Sequence, residues 1–188
     1  MKTLAVNGWS RLQAGQVAVL GVLMALELAL SFMSVGTSFL KVSFTFITIG
    51  LIAKWFGPYW GMLVAFILDF VTNFMHGMPY IFPFALVAVL NALIFGISYY
   101  KREQLSVARI AITILIQLML SNAILNTYLL AVYHYLPVQL TSLSDALSSP
   151  VVWARVGKQF IMWPIEVIVS ILILNNRQIN ALYERVTK

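Results

Sequence analysis

Long apolar runs, interrupted only by glycine, proline and small charge clusters, fill nearly the whole chain. They predict helices over residues 12–34, 42–55, 58–75, 81–100, 108–135 and 154–174. A crossing of a hydrocarbon core about 30 Å thick takes roughly 20 helical residues, so the second segment is short and is expected to tilt or to span incompletely. Runs such as IAITILI (110–116) lack the in/out alternation of a membrane β-barrel strand. The predicted fold is therefore all-α, a bundle of six transmembrane helices forming one integral-membrane domain over residues 1–188.

Composition strengthens that reading. Of 188 residues, 61% are hydrophobic and 10% charged, far below the roughly 25% charge of a water-soluble domain. The first apolar run is too long for a signal peptide and has no small-x-small site after it, so it is expected to stay as the first helix. Charge sets the orientation. With the N-terminus inside and six crossings, nine of the twelve cations fall on the cytoplasmic side: Lys2, Arg11, Lys54, Lys101, Arg102, Arg109, Arg177, Arg185 and Lys188. Lys41, Arg155 and Lys158 lie on the outer side, against the trend, and call for a specific reason.

Polar residues inside the spans form stripes. Asp69, Thr72, Asn73 and His76 share one face of the third helix, and Arg155, Lys158, Gln159, Met162 and Glu166 share one face of the sixth. Asn122 and Asn126 add an i, i+4 pair in the fifth, with Tyr133 and His134 near its outer end. Such residues either hydrogen-bond neighbouring helices and hold the bundle together, or turn toward a shared hydrated cavity; three stripes at one outer depth favour the cavity. Phe39, Phe44, Phe46, Tyr80, Phe82, Phe84 and Trp153 cluster around the outer loops, where they serve either as interfacial anchors or as walls for a flat ligand.

The first helix carries a different signal. Ala14, Ala18, Gly21, Ala25 and Ala29 form a stripe of small residues that permits close approach of another helix, either within this bundle or from a second membrane subunit. Glu27 points about 200° away from Ala25 and is expected to face the interior. No phosphate-binding loop, HExxH or GxSxG motif is present, and no cysteine. His76 and His134 lack metal-site spacing, so neither metal nor cofactor is expected, and the chain offers no recognisable ATPase, metalloprotease or serine-hydrolase chemistry.

The segments GTSFLKVSF (36–44), FGPYWG (56–61) and LNT (125–127), with Arg155, Lys158-Gln159 and Met162-x-Pro164-Ile165, together resemble the substrate-binding S components of energy-coupling factor (ECF) vitamin transporters, in their folate-specific branch. The resemblance covers most of the chain except its cytoplasmic ends. It implies a six-helix subunit of a prokaryotic cytoplasmic membrane, both termini inside, that captures folate from outside. It also implies docking, through the Ala25-x-x-x-Ala29 pattern, on a transmembrane coupling subunit whose two ATPase partners power release; nucleic acid has no part.

Folate chemistry suits the polar inventory. Paired donors on the pterin match a carboxylate such as Asp69 or the amides of Asn73, Asn122, Asn126 and Gln159, with His76 beside them. The two tail carboxylates match Lys41, Arg155 and Lys158, and the rings match Phe44, Phe46 and Trp153. Lys41 also has the plainer role of a snorkelling helix-end lysine. Three rivals stay open on sequence grounds. An S component for another anionic vitamin such as pantothenate fits the cations. A membrane-embedded enzyme would need a magnesium-binding cluster, whereas Glu27, Asp69 and Glu166 are dispersed on three helices. A scaffold subunit would use the polar stripes for structure alone.

Overall fold

The computed structural model describes residues 12–36, 41–136, 145 and 148–187. Helix α1 runs Ala14–Phe32, and a short antiparallel ladder follows, β1 (Val35–Gly36) against β2 (Lys41–Val42). The helical run Phe46–Met75 is broken at Gly57 into α2 (46–56) and α3 (58–75). Helices α4 (Phe82–Tyr99), α5 (Val107–Val132) and α6 (Pro150–Leu174) follow, then a short amphipathic α7 (Arg177–Thr187). Five of these helical runs are long and apolar enough to cross a membrane, and the break at Gly57 divides one of them, giving the six segments expected.

The break is a reversal with almost no loop. Gly57 has φ 84°, a left-handed conformation that a side chain resists, and Pro58 starts the next helix with its φ already set. A Cβ on Gly57 would also stand 2.8 Å from the Tyr100 ring. The elbow then packs on Gly96 of α4, where a Cβ would stand 2.4 Å from the Pro58 Cα. These two glycines let α2, α3 and α4 meet at backbone distance. The second helix starts at Phe46 rather than 42, because Lys41 and Val42 pair with Gly36 and Val35 instead.

Packing differs between the two ends of the bundle. At the elbow end, Leu51, Ile52, Phe56, Phe95, Tyr99, Ile110, Ile114 and Leu174 form a solid apolar core. The buried Lys54 ammonium donates to the Leu174 carbonyl, to the Glu103 carbonyl (3.0 Å) and to Asn180 Oδ1 (3.1 Å), so all three of its N–H groups are used. A cation at the last carbonyl of α6 also suits that helix's dipole. Toward the other end α6 is inside-out: Phe160, Ile161, Ile165, Ile168 and Leu172 face outward while Arg155, Gln159, Glu166 and Ser170 are buried. That arrangement is what a lipid surround with a polar interior demands.

Helix α1 lies to one side. Ala14, Ala18, Gly21, Ala25 and Ala29 are all exposed, while Leu20 and Leu23 pack inward. Glu27 faces the protein as expected, lining a small gap with Ile49, Ile52, Gly61, Val64, Ala65 and Ala92.

Candidate functional site

The hollow end of the bundle holds a cavity of about 330 Å³ walled by α2, α4, α5 and α6. Its size falls within the roughly 300–1,000 Å³ typical of small-molecule sites. Helix α6 supplies Arg155, Lys158, Gln159, Met162 and Glu166, the whole stripe read from its periodicity. Three ties along its length set its rotation. Near the open end Arg155 Nε donates to Thr127 Oγ1 at 2.8 Å, and midway Trp163 Nε1 donates to the Ala111 carbonyl at 2.9 Å. Lys54 holds the far end.

Helix α5 contributes through an irregularity. Gln117–Leu125 is π-helical, and i→i+5 turns stack residues five apart, a geometry frequent at functional sites. Gln117, Asn122 and Asn126 thereby all reach the cavity. Asn126 Nδ2 donates to Asn122 Oδ1 at 3.1 Å, and the Thr127 hydroxyl that accepts from Arg155 donates on to the Asn122 carbonyl at 3.3 Å. Ser43 and Thr45 come from the segment leading into α2, Phe46 and Ile49 from its first turns, and Phe84, Asn91 and Phe95 from α4. The site thus combines two cations, one carboxylate, several amides and three phenyl rings.

Of the residues expected at one site, Phe46, Asn122, Asn126, Arg155, Lys158 and Gln159 converge on this cavity. Others go elsewhere. Asp69 and Asn73 sit on α3, outside the wall; Asn73 Nδ2 donates to the Asp69 carbonyl at 2.8 Å and lines a second cavity of about 290 Å³ with Met78, Phe84, Leu130 and Tyr135. His76 places Nδ1 2.7 Å from the Thr72 carbonyl and stacks on Phe32 of α1, with centroids 4.4 Å apart. Phe44 and Trp153 are 40% and 58% exposed and do not line the cavity. Lys41 is placed through its backbone opposite Gly36, and its side chain lies outside the described residues. Among the described residues no group of three metal-ligating side chains occurs.

Asn91, Phe95 and Gln117 line the cavity without having been expected there, and Glu166, expected on the α6 stripe but not among the ligand contacts, lines it as well. Glu166 continues the α6 stripe four residues beyond Met162, and Asn91 and Gln117 are lone amides within apolar runs, a signal of interior placement in a membrane helix.

A family model for the ECF transporter substrate-specific component matches residues 15–174. The chain belongs to the S components of ECF transporters. The folate transporter FolT of Leuconostoc mesenteroides subsp. mesenteroides is 36% identical over 172 residues, which cover 90% of each protein. A crystal structure of FolT bound with folic acid superposes with a TM-score of 0.75 at 31% identity, covering 87% of this chain and 94% of that one. This S component is accordingly a multi-pass membrane subunit of a transporter and not an enzyme.

Proposed function

We propose that this S component captures folate in the cavity between α2, α4, α5 and α6 and presents it for import. The observation that carries this reading is the pairing of Arg155 and Lys158 with phenyl walls in one cavity, within a chain related to folate transporters. The two cations neutralise the tail carboxylates, which in a desolvated site makes strong charge-assisted hydrogen bonds. Phe46 and Phe84 flank the flat rings, and Asn122, Asn126 and Gln159 offer both donors and acceptors. Pantothenate shares the negative charge but has no aromatic ring for those walls.

The cavity opens outward from the cytoplasmic membrane, with both termini inside, an orientation supported by the excess of cations at the elbow end. The exposed small-residue face of α1 docks on the transmembrane coupling subunit, whose two ATPase partners hydrolyse ATP. Ala25→Trp is expected to leave folate affinity unchanged and to abolish uptake in the assembled transporter; uptake at the wild-type rate would remove α1 from the docking surface.

Titration of the detergent-purified chain with folic acid, read by tryptophan fluorescence and corrected for folate absorbance, tests the assignment. Saturable quenching by folic acid, with none by pantothenate or thiamine, is the expected result. A folded protein that responds to pantothenate alone would transfer the assignment to that vitamin.

A further inference from the structure

The deep end of the cavity is lined by oxygen acceptors that lack donors. Glu166 is 6% exposed with Oε2 unpartnered, Gln117 is 8% exposed with Oε1 unpartnered, and Asn91 Oδ1 beside them is buried and unpartnered as well. Buried acceptors left in this state are costly, and native structures pair nearly all of them. Three around one cavity therefore mark a place where a ligand, or water in its absence, supplies N–H or O–H groups. The opposite end carries Arg155, a donor only. Glu166 lies eleven positions after Arg155 on one helix, about 16 Å along its axis. The cavity is thus polarised lengthwise in charge, with Arg155 toward the mouth and the Glu166 carboxyl at the floor among unpartnered oxygens.

We propose that Glu166, supported by Gln117 and Asn91, is the specificity-determining floor that reads the donor edge of the ligand's heterocycle, so that the ring enters first and the carboxylates stay at Arg155. This rests on the folate reading above. A 2-amino-4-oxo pyrimidine ring bears an amino group next to a ring N–H, two parallel donors that match the two oxygens of one carboxylate. The reverse pose would put the tail carboxylates against Glu166, like charge against like charge in a desolvated site. Lys158 lines the same cavity from the same helix face, between the two levels, so the carboxylate is not an isolated buried charge.

The test pairs a protein change with a ligand change. Folic acid and its 2-desamino analogue are titrated against wild type and Glu166→Gln. The wild type is expected to favour folic acid by roughly 30-fold, and the variant to bind the two within about threefold of each other, having lost one paired acceptor. The same preference in both proteins, or no preference in the wild type, would overturn the proposal. Failure of wild type to bind folic acid at all would instead sink the folate assignment, so the two failures are distinct. Should the amide variant not fold, Glu166→Asp withdraws the oxygens by one methylene and keeps the charge; discrimination must then fall, and an undiminished preference rejects the floor.

Discussion

Helices α3 and α6 carry the same kind of polar repeat and put it to different uses. On α3 two of the polar side chains are satisfied close to home, Asn73 on the Asp69 carbonyl and His76 on the Thr72 carbonyl while it stacks on Phe32, and Asp69 keeps one buried oxygen without a partner. Short side chains can fold back on their own helix in this way, so a polar stripe needs no cavity to be tolerated in lipid. On α6 the polar residues are long, and the reach of Arg155 to Thr127 crosses to another helix. Lys158, Gln159 and Glu166 line the cavity between four helices. Side-chain length separates a stripe that seals a contact from one that lines a cavity.

That difference can be broken by experiment. Arg155→Ala removes a buried, hydrogen-bonded cation and is expected to weaken folate binding by about 100-fold or more in an equilibrium titration, as truncating one partner of a buried charge contact does elsewhere. Survival of wild-type affinity would mean the α6 stripe does not face the ligand. His76→Ala should act in the opposite sense, lowering stability by about 1 kcal/mol through the lost stack on Phe32 while leaving affinity unchanged. Thermal unfolding and titration of the same sample separate the two effects, and a loss of affinity at unchanged stability would place α3 in the site. Asp69→Asn is expected to do least, shifting affinity less than about threefold, because Asp69 stands outside the cavity wall and its buried Oδ2 has no partner to lose. A tenfold loss would reinstate it as a ligand contact.

Much of the architecture was legible beforehand. The helical segments follow from apolar length, and the inward turn of Glu27 and the single face shared by Ala14, Ala18, Gly21, Ala25 and Ala29 follow from the 3.6-residue period, whereas that this face is exposed rather than packed inside the bundle came only from the structure. Less legible was the tight joint at Gly57, read only as a break between two spans, although Gly-Pro is the pair that such a reversal needs. The π-helical stretch of α5 has no sequence signal, and without it the five-residue step from Gln117 to Asn122 does not read as one face. The aromatic candidates also divided. Phe46 and Phe84 line the cavity while Phe44, in the segment before α2, and Trp153, on the outward side of α6, do not.

The sequence alone determined that this is a membrane bundle, how its runs divide, and which side of each helix is polar, because hydropathy and helical period are properties of consecutive residues. It also placed the family within reach, since the motifs between residues 36 and 165 stand in order. Only the tertiary structure decided which polar sides meet. The rotation of each helix is set by contacts between distant residues, Pro58 on Gly96, Trp163 on Ala111 and Lys54 on Leu174, and no local pattern encodes those pairings. The convergence of Asn91, Gln117 and Glu166 at one floor, with Asp69 left outside it, is the consequence.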